Sequence, residues 1–159
     1  MTSRGGGSQG TNAGLVAYFT QSHRGCDDSW AEVEAAADAG DNEAVRDRWQ
    51  SFQRAFRRHL AMEETLLFPA VEAATGMRDA GPTHVMRAEH EQMRAVLDQM
   101  AAAMERGDRE ELLDQGDTLH ILIQQHNVKE EGVLYPLAER VLAPQWPELR
   151  EKLDRFELD

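Results

Sequence analysis

The stretch R-H-L-A-M-E-E-T-L-L-F-P-A-V-E-A, Arg58 to Ala73, returns further along the chain as Q-H-N-V-K-E-E-G-V-L-Y-P-L-A-E-R, Gln125 to Arg140. Each copy carries a His followed by Glu at +4 and +5, Leu at +8, an aromatic at +9, Pro at +10 and Glu at +13. The two histidines, His59 and His126, are 67 residues apart. His23 and His90 are separated by the same 67 residues, and each precedes its partner by 36. The repeat therefore covers two whole helical hairpins, not one short motif. It points to a site for two metal ions built from duplicated units.

Working outward, A-G-D-N-E-A-V at 39–45 matches R-G-D-R-E-E-L at 106–112. In each, a Gly ends one helix and an Asp caps the next, with an acid in the first turn. These are tight connections between antiparallel helices. The segment T-G-M-R-D-A-G-P-T at 75–83 punctuates differently and divides the halves. Four helices are expected, near 13–39, 42–75, 83–106 and 109–142, with a short fifth from Glu148 to about Phe156. The fold class that follows is all-α: an up-down-up-down antiparallel four-helix bundle of two duplicated hairpins, with a short C-terminal helix. Residues 1–11 read as a flexible tail, 12–142 as the bundle and 143–159 as a C-terminal extension. Pro69 and Pro136 are expected to kink their helices beyond the Glu pair.

Apolar residues at three-four spacing mark the inward faces. The first helix offers Val16, Phe19, His23, Cys26, Trp30, Val33 and Ala37; the second Val45, Trp49, Phe52, Phe56, His59, Glu63 and Leu66. The third offers Met86, His90, Met93, Leu97, Met100 and Met104; the fourth Leu112, Gly116, Leu119, Ile123, His126, Glu130, Val133 and Leu137. The strongly polar members of these stripes are His23, His59, Glu63, His90, His126 and Glu130.

A His and a Glu four apart stand on one helical face, one turn from each other. Burying two unpaired carboxylates costs several kcal/mol each, on the order of the penalty for any uncompensated charge. A pair of divalent cations removes that cost, because each carboxylate can bridge both ions while each imidazole gives one neutral nitrogen. Imidazole and carboxylate donors without thiolate suit iron or manganese, and zinc less distinctively. Four protein donors per ion leave positions open for a bridging oxide or hydroxide and for a small molecule. The Glu-x-x-His pattern of ferritin-like di-iron proteins is missing from the matching places.

The order His, HxxxE, His, HxxxE resembles the hemerythrin HHE cation-binding family over about residues 12–142. The E-E-x-x-L-[FY]-P tails and V-M-R-A-E-H-E-Q-M-R at 85–94 carry the likeness. The resemblance implies a four-helix bundle holding a non-haem di-iron centre, two iron ions bridged by oxide or hydroxide. It implies that His23 and His59 hold one iron, His90 and His126 the other, and that Glu63 and Glu130 bridge. The chain departs from the oxygen carriers of the family. They have H-x-x-x-H on the third helix, whereas Met86 and Arg94 flank His90 here. They also end with H-x-x-x-x-D, where this chain has Glu130 at +4 and Glu131 at +5.

Plainer readings apply to other residues. His84 and His120 lie off the stripes and read as surface residues. Glu64 and Glu131 read as solvent-facing acids, with hydrogen bonding to an imidazole N–H as the sharper alternative. Cys26 reads as a small buried thiol, with a thiol near the metals as the alternative, and the methionines as core filling. Tyr18 and Tyr135 are weak candidates for a radical or an extra ligand, and Tyr135 reads as packing because Phe68 occupies its place in the other copy.

Composition narrows the partners. A net charge of −12 argues against a nucleic-acid backbone and an anionic membrane surface. One cysteine excludes an intramolecular disulfide and fits a reducing compartment, so a cytoplasmic protein is expected. No apolar run approaches the ~20 residues that span a bilayer. The expected ligand is a diatomic molecule or peroxide. Three functions compete: a module that binds or senses oxygen, nitric oxide or iron; an enzyme acting on peroxide or nitric oxide, or donating iron in repair; and a bundle whose histidines are incidental.

Overall fold

The computed structural model describes residues 14–158. The first hairpin pairs α1 (Leu15–Asp38) with a rod made of α2 (Asn42–Met62), a π turn (Glu63–Leu67) and α3 (Phe68–Thr75). The second pairs α4 (Pro82–Arg106) with α5 (Arg109–Lys129), a π turn (Glu130–Leu134) and α6 (Tyr135–Val141). A 3-10 turn (Ala143–Gln145) leads into α7 (Trp146–Asp154). The all-α four-rod bundle expected from the repeat is what forms, and the rod boundaries fall within a few residues of those expected. The proposed tail at 1–11 lies outside the described residues.

The two hairpin connections are built alike. Gly40 and Gly107 both adopt a φ of +71°, the left-handed conformation that ends a helix without a Cβ clash. Asp41 and Asp108 then accept the backbone N–H of Ala44 and Glu111, each at 3.0 Å. One otherwise unpaired helix-start donor is thereby satisfied in each copy.

The prolines act differently from the expected kink. Pro lacks an N–H, so the ladder must adapt before it. Here it adapts by a π turn that begins at the Glu itself. The N–H of Phe68 reaches Glu63 O and that of Tyr135 reaches Glu130 O, each five residues back. The extra residue per turn moves the inward face along by one position. This corrects three assignments from the stripe. Leu67, not Leu66, is buried, as are Leu134 and Ala138 in place of Val133 and Leu137. Val133 is turned to solvent, 59% exposed. At the other margins, Leu15 is buried where Val16 was expected, and Met104 yields its place to Ala103.

Two apolar clusters fill the bundle. One lies toward the hairpin connections, with Trp30, Val33, Trp49, Phe52, Leu97 and Leu112 among its members. The other lies toward the open ends, with Phe19, Leu67, Phe68, Met86, Leu134 and Tyr135. Helix α7 closes that second end through Leu149 and Leu153. Arg58 secures it by donating to the carbonyls of Leu153 and Phe156, each at 3.1 Å. The fifth helix thus begins at Trp146, two residues earlier than expected, because Pro147 fits its first turn. The buried polar residues of the stripes lie between the two clusters.

Candidate metal centre

All six polar residues of the stripes converge. His23, His59, Glu63 and Glu130 each offer a ligand atom within 4.8 Å of one another, and so do Glu63, His90, His126 and Glu130. Two groups of four donors therefore share the two carboxylates. Each group takes one His from a first-type helix and one from the paired rod: α1 and α2 for one, α4 and α5 for the other. Glu63 and Glu130 are 0% exposed, and no histidine of the set exceeds 5%.

Every imidazole is oriented through its Nδ1. Glu131 Oε2 lies 2.7 Å from His23 Nδ1, and Glu64 Oε2 lies 2.7 Å from His90 Nδ1. Ser22 Oγ stands 2.7 Å from His59 Nδ1, and Glu89 Oε1 2.9 Å from His126 Nδ1. These partners obey the same offset of 67, Glu64 with Glu131 and Ser22 with Glu89. The duplication thus extends one layer beyond the six donors. Glu64 and Glu131, read first as solvent-facing acids, are in fact partners of imidazoles. Ser22 and Glu89 carry no signal of their own in the sequence, although each directly precedes a site His.

With Nδ1 committed, Nε2 faces the centre. Nε2 of His59, His90 and His126, Oε1 of Glu63 and Oε2 of Glu130 are all buried without a hydrogen-bond partner. They are close nonetheless: His90 Nε2 is 3.1 Å from Glu63 Oε1, and His126 Nε2 is 3.1 Å from Glu130 Oε2. The atoms are near one another but aimed at shared space. Orphaned buried polar atoms are rare in proteins. Five in one place, all of metal-binding type, fit a cation pair by the chemistry of the donor set.

The electrostatics agree. Burial pushes the Glu63 carboxyl up, and the neighbouring Glu130 charge pushes it further. Burial also acts to raise Glu130, but its contacts with His126 and His23 outweigh that and hold it well below the usual carboxylate range. Two carboxylates at one buried spot cannot both ionise cheaply without a cation. Burial lowers His59 to about 3, which keeps it neutral. At His90 burial also lowers, but the contacts with Glu63 and Glu64 win and lift it to about 9.

Tyr135 belongs to the centre as well, contrary to its reading as packing. Its hydroxyl lies 2.6 Å from Glu63 Oε2 and 2.8 Å from Glu130 Oε1, donating to the carboxylates, and 3.0 Å from His23 Nε2. The π turn is the reason. A residue five beyond Glu130 falls on the same face only where the turn is widened. Cys26 is buried, and burial, then Asp27 and Glu63, push its thiol up to about 12. Its sulfur is not among the converging donor atoms of either group. His84 and His120 are exposed, as the stripes indicated.

Among the described residues no helix is long and apolar enough to cross a membrane. No curated protein and no solved structure matches the chain significantly. The sequence model of the hemerythrin HHE cation binding domain matches residues 14–138, a span that includes all six converging donors. On that match the chain belongs to the hemerythrin HHE cation binding domain family.

Proposed function

We propose that this chain holds two iron ions at His23, His59, Glu63, His90, His126 and Glu130, and uses them to bind or sense oxygen or nitric oxide. His23 and His59 would hold one ion and His90 and His126 the other, with both carboxylates shared. The observation that carries this reading is the set of five orphaned polar atoms at the bundle centre. Bound there, an iron pair supplies redox-active positions for a small molecule. The chain supplies the rest. Apolar clusters on both sides keep bulk water from the donors. The four Nδ1 partners fix ring orientation and raise imidazole basicity. Before a cation is bound, Tyr135 keeps a proton at its oxygen beside both carboxylates, where burial and the two acids hold it well above its ordinary value.

A second reading, an enzyme that turns over peroxide or nitric oxide, is favoured by the third helix, where Met86 and Arg94 stand four residues either side of His90 and supply no further imidazole. Metal analysis of the purified chain, with absorbance before and after exposure of the reduced protein to air, peroxide and nitric oxide, tests both. Two irons per chain and a stable ligand-bound spectrum are expected. Repeated consumption of peroxide or nitric oxide would select the enzyme. Fewer than two bound metals, or zinc alone, would overturn the di-iron proposal.

A further inference from the structure

The duplication supplies an internal control for every residue near the centre. Tyr135 and Phe68 occupy equivalent places, 67 residues apart. Their rings pack alike. The Tyr135 ring lies 5.4 Å from the His23 ring at 32°, and the Phe68 ring 5.4 Å from the His90 ring at 34°. Both side chains are fully buried. A phenyl ring therefore satisfies the packing, and the hydroxyl of Tyr135 is surplus to it. Burying a hydroxyl costs free energy unless it is partnered. Its partners here are not framework groups. They are His23 Nε2, Glu63 Oε2 and Glu130 Oε1, all on residues of the donor set.

Those residues also say which half is concerned. Glu63 and Glu130 belong to both groups of four, but His23 belongs to one only. The Tyr135 oxygen is thus placed beside the His23–His59 position, while carbon and hydrogen stand at the corresponding place beside His90. We propose that Tyr135 is a further metal ligand, binding the cation held by His23 and His59 and making the two metal positions chemically unequal. Ligation exchanges the phenol O–H bond for a metal–oxygen bond, and the proton leaves to buffer. This inference rests on the di-iron reading above.

The probe is ferrous iron, loaded anaerobically into the full chain and oxidised in air, with iron counted per chain. A phenolate on ferric iron gives a visible charge-transfer band and phenolate ring modes in resonance Raman. The wild-type protein is expected to show both. Tyr135→Phe is expected to retain two irons and its near-ultraviolet absorption while losing the visible band. Because Phe68 already packs in the equivalent place, this variant should fold. Tyr18, the other tyrosine of the chain, donates to Asp154 at 2.9 Å, so Tyr18→Phe should leave the band intact. Phe68→Tyr should add a second phenolate contribution. Two ferric ions without phenolate modes, or a band that survives Tyr135→Phe, would overturn the ligand assignment and leave the di-iron reading standing. Failure to bind iron would remove both.

Discussion

Arg94 grips Glu64 with two guanidinium nitrogens, at 2.7 and 2.8 Å, and the same carboxylate sits 2.7 Å from His90 Nδ1. A fork of this kind fixes a carboxylate's plane as well as its position. It holds the Glu64 carboxyl down at about 2: burial acts to raise it, but His90 and Arg94 prevail. The residue one turn beyond His90 is thus an orienting group at one remove. The first half has no counterpart, since Asp27 occupies the position equivalent to Arg94. Arg94→Met should leave the fold intact and weaken binding at the His90–His126 position by about 10–100-fold, the usual effect of removing an outer partner. Calorimetric titration with a divalent cation should then resolve one weakened and one unchanged step. Two unchanged steps would show that Glu64 orients His90 without help.

Chelation distinguishes a metal centre from an incidental cluster. A ligand bound to the folded chain alone, at a thousand times its Kd, adds about 4 kcal/mol. For a domain of this size each kcal/mol moves Tm by roughly 2–4 °C. Removing tightly held ions should therefore lower Tm by about 10 °C or more. His59→Ala and Glu63→Ala should abolish most of that difference between chelated and loaded protein. A chelated protein that melts with the loaded one would favour the incidental cluster.

Much of this architecture is legible in the sequence because it is written twice. The offset of 67 pairs His23 with His90 and His59 with His126 by residue type and spacing alone. What stayed hidden was whatever depends on local helix geometry. A regular 3.6-residue period puts Val133 and Leu66 on the inward face, and only the π turn moves them off it. The same turn brings Tyr135 to the centre, which a regular helix would not. Ser22 and Glu89 are hidden for another reason. They sit beside the inward stripe, and only three-dimensional pairing shows Ser22 meeting His59 and Glu89 meeting His126 and Lys129.

The four site histidines by themselves place the stability maximum of the metal-free protein near pH 6.5. His90, lifted to about 9, contributes stability that is fully present below its unfolded value of 6.5 and is lost as pH rises through 9. His23 and His126 are raised as well: in both, burial opposes the rise and contact with Glu130 outweighs it. His59 acts in the opposite sense. Lowered to about 3, it refuses a proton that the unfolded chain accepts below 6.5, so stability falls as pH drops from there toward 3. A tenfold change in proton affinity is worth about 1.4 kcal/mol, so both limbs should amount to a few kcal/mol. Bound cations need neutral imidazoles, and loading displaces these protons. The alkaline decline should therefore vanish in the loaded protein. Urea denaturation of chelated and loaded samples from pH 5 to 9 reads this directly, and a flat alkaline limb in the chelated sample would contradict it.

Trp30 and Gly116 form a large-small pair whose volumes are tightly matched. A Cβ at position 116 would fall 2.1 Å from Trp30 Cζ2, inside any tolerable contact, and the ring is held in the buried cluster with Phe52 at 5.2 Å. The positions related to them by the duplication are Leu97 and Trp49, so each of the two pairs carries one tryptophan, on opposite members of the pair. Gly116→Ala should therefore overpack the cluster and cost about 1–3 kcal/mol, although alanine is the better helix former by nearly 1 kcal/mol. Helix propensity loses here because the tryptophan cannot withdraw without opening a void. Trp30→Leu, which copies the residue at position 97, should relieve the clash in combination. The two substitutions together should be less destabilising than the sum of each alone, and additive denaturation energies would show that Trp30 gives way freely.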